Sequence, residues 1–464
     1  MLNPMKFIYH FEYRRALLHC ARSLTVSLLF LLILVAAPIS ESAHAGQSKS
    51  QKGNDRVFDL DAPPKPSIRL TYALRMGINV GFEAQLEDNF DLTHQDDDDL
   101  MLFLPSVEIA FRYMPVEWLA AFIDMETAYE ILENEEMKEA MDDEHFREEK
   151  TKLQIKQANL LFNEILPGLD VKAGRQRFKD EREWIYDEEL DGVRIFYGIS
   201  RFCIDFSASK KNDSDLLHGA EDQQIINYAL FGNYSPFDDN ILSAYVFYRD
   251  DRSEPGERPI FYGLSLIGEA TKHLDYWVEL AYVSGKSESR DIEAMGVDAG
   301  TTYEFDLPLK PSVTVGYAFG TGDDDPADDV DKNFRQTGLQ DNNAAFNGIT
   351  KFKYYGEVFD PELSNLGIAT AGIGFRLARS MSLDLVYHYY YQQKISNDIR
   401  DSNLDTDPDG LEKELGHEVD VILGLRGKKH FQASFITGCF FPGKAFPDGA
   451  DEALFAEVRM RIFF

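Results

Sequence analysis

The last twelve residues, ALFAEVRMRIFF, alternate: Leu454, Ala456, Val458, Met460, Ile462 and Phe464 share one face, with Glu457, Arg459 and Arg461 between them. Period-two alternation marks a strand whose two faces meet different media. One such strand fits a soluble sandwich or a membrane barrel equally well. The same pattern appears near the front of the chain, in IRLTYALRMGINVGF (residues 68–82). There Ile68, Leu70, Tyr72, Leu74, Met76, Ile78, Val80 and Phe82 alternate with Arg69, Thr71, Arg75 and Asn79 among others. That unbroken stretch is long enough for a tilted transmembrane strand.

Loop lengths decide between the two folds. FLPSVEIAFRY and WLAAFIDMETA are joined only by MPVE, whereas QLEDNFDLTHQDDDD and ENEEMKEAMDDEHFREEK separate other strands. Tight turns (SPFDDN, TKHL, ARSM) and long hydrophilic loops (KNDSDLLHGAEDQ, NDIRDSNLDTDPDGLEKE) recur to the C-terminus. Outer-membrane barrels sort their connections this way, short turns in the periplasm and long loops outside. The pattern predicts strands near residues 68–82, 101–113, 117–129, 151–162, 169–178, 189–198, 200–209, 224–234, 241–250, 259–269, 275–285, 297–306, 312–320, 366–378, 381–393, 416–427, 430–440 and 453–464. The expected fold is all-β: a transmembrane antiparallel up-and-down barrel of about 18 strands, with short periplasmic turns and long acidic extracellular loops. The final strand closes against the first.

The N-terminus supplies an address. Arg14, Arg15 and Arg22 precede the apolar run LTVSLLFLLILVAA and the small-residue site Ala43-His44-Ala45, the layout of a cleaved secretory signal peptide. The run is shorter than the roughly 20 apolar residues of a helical span. Cys20 precedes it, which excludes a lipoprotein attachment site there. The chain thus reads as a signal peptide (1–45), a flexible periplasmic segment (46–66) and a barrel (67–464) in the bacterial outer membrane. The leader carries four basic and two acidic residues, so its removal takes the formal net charge from −33 to −35. Such acidity argues against nucleic acid as a partner. Only Cys203 and Cys439 remain, too few for a disulfide framework.

Strand parity points Arg69, Arg75, Arg112, Lys152, Lys156, Arg194, Arg376, Arg426, Arg459 and Arg461 inward. A charge facing lipid at mid-depth would cost roughly 2–4 kcal/mol. Arginine forks suit a ladder of carboxylates, which they hold bidentately. The same parity turns Glu108, Asp124, Glu126, Glu279, Asp384, Glu418, Asp420 and Glu457 inward, so cross-strand pairs bracing the wall are the competing reading. In GTGDDDPADDVD (residues 320–331), Asp323, Asp325 and Asp328 form a candidate calcium site, since hard cations take clustered carboxylates. It lacks the central Gly and closing Glu of an EF-hand loop, and a hydrated acidic loop is the plainer alternative. No other cofactor is called for. Histidine is scarce: His388 lies in the aromatic YHYYYQQ, and His218 and His417 stand in no motif. With no nucleophile elbow, P-loop or HExxH, the chain does not read as an enzyme.

Two stretches carry more than a period: AGRQRFKDEREWIYDEELDGVRIFYG (residues 173–198) and VGYAFGTGDDDPADDVDKNFRQTGLQDNNAAFNGITKFKYYGEVFDPELSNLGIATAGIGF (residues 315–375). They resemble the alginate export family of outer-membrane porins. The resemblance implies a monomeric passive channel, set in outer-membrane lipid and lipopolysaccharide and served by periplasmic export proteins. An anionic exopolysaccharide, an alginate-like polyuronate, would cross its Arg/Lys-lined lumen. By motif it implies lumenal or gate-loop roles for Arg175, Arg177, Arg194 and Arg335, and makes residues 320–331 an external loop near the pore mouth. The alternative is a general or small-anion-selective porin. A receptor or adhesin would bind without conducting.

Overall fold

The computed structural model describes residues 57–93, 99–134, 148–217, 224–253, 256–427 and 430–464. The expected signal peptide, residues 46–56 of the expected periplasmic segment, and His218 lie outside the described residues. Eighteen strands form the wall: β1 Leu74–Asp88, β2 Leu100–Val116, β3 Leu119–Asn134, β4 Glu148–Leu166, β5 Leu169–Lys179, β6 Asp187–Ile199, β7 Phe202–Lys210, β8 Ile225–Tyr234, β9 Asn240–Asp251, β10 Glu257–Thr271, β11 Leu274–Ser287, β12 Arg290–Glu304, β13 Ser312–Gly320, β14 Leu366–Ala378, β15 Met381–Gln392, β16 Glu414–Arg426, β17 Phe431–Pro442 and β18 Ala453–Phe463. Each pairs antiparallel with its neighbours in sequence, and β1 pairs with β18 from Asn79↔Phe463 to Asp88↔Leu454. The sheet closes on itself and leaves no edge. Phe464 seals the seam: its N–H donates to Ile78 O at 2.9 Å and its ring stacks on His430.

The alternation is realised as expected. Val107, Ile123, Val193, Leu264, Val315 and Tyr387 stand exposed on the outer face, while Glu108, Asp124, Asp298, Asp384, Glu418 and Asp420 are buried within. Two strands depart most from their predicted bounds. The stretch 68–82 is not one strand: Ile68–Arg69 folds back on β1, with Ile68 opposite Met76 and Arg69 opposite Arg75. Thr71 makes the reversal, its hydroxyl accepting the N–H groups of Ala73 and Leu74 at 3.3 and 3.0 Å. The strand predicted at 297–306 starts earlier, at Arg290, where main-chain pairing with β11 continues to Ser287↔Arg290.

The lumen is not empty. Residues 321–365, the long extracellular connection from β13 to β14, descend through it as a plug. At the bottom Asn347 donates to Glu304 at 3.2 Å and Ile349 N–H to Ser382 Oγ at 2.9 Å, both at the periplasmic ends of their strands. The plug buries Phe334, Phe346, Phe352, Tyr354, Tyr355, Val358, Phe359 and Leu363 in one apolar cluster. That cluster draws wall residues from β5, β6 and β8–β18, but from none of β1–β4. The filled side of the barrel is a protein core; the β1–β4 side keeps a polar face.

Candidate functional site

The two motif-bearing stretches prove to be one structural unit. After β5 the chain turns inward at residues 180–186, because Asp180 accepts main-chain N–H groups from Trp184, Ile185 and Tyr186. Trp184 then stacks on Phe334 of the plug at 6.1 Å and donates its indole N–H to Tyr355 at 3.0 Å. Gln336 donates to Trp184 O, Leu339 O accepts from Asp187 N–H, and Glu183 O accepts from Asp341 and Asn342. Arg182 lies between the rings of Trp277 and Tyr354 (4.3 and 4.1 Å) with Asp298 at 3.1 Å. Both distances are within cation–π range, and burial strengthens such a contact.

On the opposite side of the plug Glu418 is the anchor. Fully buried on β16, it accepts N–H groups from Val358 and Phe359 at 2.7 and 3.1 Å and the Tyr390 hydroxyl at 2.9 Å. Parity turns Glu418 inward, but only the tertiary structure reveals what it holds.

The motif arginines occupy several settings. Arg175 marks a fork where β4 leaves β5. Above it β4 pairs with residues 214–216, and Arg175 binds Asp191 (2.8 Å) and the carbonyls of Ile155, Asn212 and Asp213 (3.2, 2.9 and 3.0 Å). Gly174 permits the fork: it sits at φ +115°, and a Cβ there would come within 2.3 Å of Ala158 O. Arg194 pairs with Asp205 and lies over Phe178 and Phe196. Arg335 is buried in the plug between Glu257 and Asp331. Arg177 pairs with Asp187 and donates to Asp61 O at 2.7 Å. Arg376 lies near the periplasmic end of β14, opposite Ser382.

Arg69, Arg75 and Arg112 form a cross-strand row at the periplasmic end of the polar face, Arg69 opposite Arg75 and Arg75 opposite Arg112. All three are exposed, and among the described residues none has a carboxylate partner. Above the row the lumenal face of β1–β4 carries Asn79 bonded to Glu108 (2.8 Å), Lys156 with Glu126 (3.7 Å) and Lys152 with Glu130.

Residues 57–66, expected in a flexible periplasmic segment, run instead within the lumen. Phe58 N–H donates to Ile349 O of the plug at 2.7 Å, and Phe58, Leu60 and Ile349 form a small apolar cluster. Asp59 binds Lys179 at 2.8 Å, Asp61 binds Arg459, and Arg461 donates to Asp59 O and Ala62 O at 3.3 and 2.8 Å. Gly77 lets the segment pass close to the wall, since a Cβ there would lie 2.5 Å from Lys65 O. Burial pushes the Asp59 carboxyl up, but Arg177 and Lys179 outweigh it and hold it below its ordinary value. Burial acts likewise on Asp61, and Arg459 overcomes it by a wider margin. Where this segment meets the plug, a cavity is lined by Asp59, Asp61, Glu183, Lys351, Lys353, Glu357, Glu457 and Arg459.

The carboxylates of Asp323 and Asp328, with the main-chain carbonyl of Asp325, face a guanidinium. Arg290 binds Asp323, approaches Asp328 at 3.5 Å and donates to the carbonyls of Asp328 and Val330 at 3.0 and 2.7 Å. The position read from the sequence as a calcium site therefore holds an arginine. Sequence reasoning missed Lys179, Lys351 and Lys353, which bind Glu183, Asp187 and Asp341. Those three carboxylates lie close enough together to share a metal ion, yet each already has a lysine partner. Lys351 and Lys353 lie in the plug, where no period betrays direction.

A closed barrel of eighteen antiparallel strands with an apolar outer face and a partly polar lumen is an integral protein of the bacterial outer membrane with a porin-like fold. The likeness to solved porin barrels agrees. Pseudomonas aeruginosa OccK7 (OpdD) aligns with 85% of this chain and 99% of its own at a TM-score of 0.57 and 12% identity. OccD1 (OprD) aligns with 88% and 99% at 0.54 and 9% identity. The chain belongs to the alginate export family, which it matches over residues 72–456. It is similar to the "Alginate production protein AlgE" of Pseudomonas aeruginosa, 23% identical over 354 residues, 62% of this chain and 69% of that protein. The protein of the same name from Azotobacter vinelandii is 27% identical over 186 residues, 35% of this chain and 38% of its own.

Proposed function

We propose that the protein is a passive channel through which an anionic exopolysaccharide of the alginate type leaves the periplasm across the outer membrane. Membership of the alginate export family supports the substrate class. The structural observation that carries the reading is the Arg69–Arg75–Arg112 row on the face the plug leaves uncovered. Like charges directly opposite one another on a sheet repel. A row of three with no carboxylate partner among the described residues, at the end where an exported chain enters, is a cost that a passing polyanion relieves. Above it, mixed and partly solvated ion pairs supply successive weak sites, which favour passage over retention.

The test is single-channel current of the refolded protein in a salt gradient, followed by addition of mannuronate oligomers. Anion selectivity with block by the oligomers is expected. Anion selectivity without block would favour a small-anion porin, and cation selectivity would overturn both.

A further inference from the structure

The segment 57–66 crosses the lumen between two walls. Its hold on β5 runs through Lys179 and Arg177, the latter 3.7 Å from Asp59, and its hold on β18 through Arg459 and Arg461. Strands β1–β4 lie between those walls, so the segment spans the four-strand sector that gives no wall residue to the apolar cluster. Its geometry is that of a turn: Asp59 Oδ1 accepts Asp61 N–H at 2.9 Å, which sends the two carboxylates to opposite sides. The apolar hold is small, Phe58 and Leu60 against Ile349 with the Arg426 guanidinium 5.5 Å from the Phe58 ring, while the polar hold uses four cationic side chains, Arg461 through main-chain carbonyls alone. The Asp61 and Asp59 side chains keep 42% and 22% of their exposure, so each carboxylate retains a solvent-facing side beside its cation. Pro63, Pro64 and Pro66 stiffen the stem and lower the entropy lost on re-docking.

We propose that residues 57–66 are a releasable inhibitory strap. Asp59 and Asp61 hold the cationic sites of Arg177, Lys179, Arg459 and Arg461, and two carboxylates of an acidic polysaccharide take those sites when the strap leaves. This rests on the reading of the protein as a polyuronate channel. Being tethered, the strap acts at an effective concentration of the order of millimolar, which a monovalent anion does not match but a chain of linked carboxylates does. A polymer entering from the periplasm therefore opens its own path, while small anions meet a narrowed one.

The experiment compares three refolded proteins in planar bilayers: wild type, Asp59→Asn/Asp61→Asn, and a variant lacking residues 46–66. A heat-dependent gel shift confirms the closed barrel in each. The probes are potassium chloride and mannuronate oligomers. Both variants should pass more chloride current than wild type. Half-block by oligomers should need roughly tenfold less sugar, the shift expected if the strap is docked nine-tenths of the time. A synthetic peptide of residues 57–66, added from the periplasmic side, should restore wild-type current to the truncated variant; the same peptide with both aspartates replaced by asparagine should not. Chloride current and oligomer half-block equal to wild type in both variants would overturn the strap. Raised chloride current with no oligomer block in any of the three would leave the strap standing as an inhibitor of an anion path and sink the polysaccharide reading instead.

Discussion

Replacing Glu418 with alanine is the sharpest test of how the plug is held. The side chain is fully buried and serves three donors at once: two main-chain N–H groups of the plug and the hydroxyl of Tyr390. Alanine removes the shared acceptor, and each buried donor left without a partner costs about 1–3 kcal/mol. Tyr390 recovers part of its loss through the bond it already makes to Tyr355 O at 2.8 Å. The two N–H groups have no such second partner among the described residues, so docking of residues 356–360 should weaken by about 3 kcal/mol. That is roughly a hundredfold rise in the fraction of time this part of the plug is detached. The wall itself should persist, because main-chain pairing of β16 with β15 and β17 does not depend on the side chain. In single-channel recordings the variant should open more often and more noisily, while its heat-dependent gel shift stays that of a closed barrel. Unchanged opening frequency in a folded variant would refute the assignment of Glu418 as the anchor.

Other expectations follow from neighbouring parts of the lumen. Arg175→Ala should destabilise the barrel by up to about 3 kcal/mol in urea unfolding from vesicles, since it breaks a largely buried ion pair and frees three carbonyls, while leaving the reversal potential alone; a moved reversal potential at unchanged stability would make Arg175 a solute guide instead. Arg75→Glu combined with Arg112→Glu should shift selectivity towards cations, and an unmoved reversal potential would remove the periplasmic row from the solute path. Burial lifts the Glu183 carboxyl to about 7, with Lys351 and Lys179 pulling the other way and Asp187 adding to the rise. The folded protein then binds more protons than the unfolded chain between about pH 4.5 and 7, so stability falls as pH climbs through that window. Glu183→Gln should flatten the pH dependence of the gel-shift temperature there; an equally steep dependence in the variant would place the titration elsewhere.

The wall was legible residue by residue. Each of the eighteen strands overlaps one that alternation predicted, the first and twelfth with shifted bounds, because lipid on one side and the lumen on the other impose a period that any seven or eight residues display. Closure of β18 on β1 follows from the same pattern, as does the inward turn of Glu418 and Asp420. The reversal at residues 70–73 was hidden because the alternation continues straight through it, and the turn is closed by the Thr71 hydroxyl together with the N–H groups of Leu70 and Thr71 on Leu74 O. The arginines show the limit of parity most clearly. It turned Arg459, Arg461, Arg75 and Arg112 inward alike, yet the first two bind the strap and the last two have no carboxylate partner among the described residues.

What the sequence determined by itself is the medium each strand face meets, and through it the closed barrel and the outer membrane as its place. Transfer of a side chain into lipid or water is a property of that side chain and its two neighbours, so it can be read locally. Only the tertiary structure decided what fills the lumen. Whether residues 321–365 and 57–66 hang in solvent or lie inside depends on Trp184 finding Phe334, Glu418 finding Val358, and Asp61 finding Arg459. Those partners are far apart in the chain, and the energy that joins them belongs to pairs that no local period records.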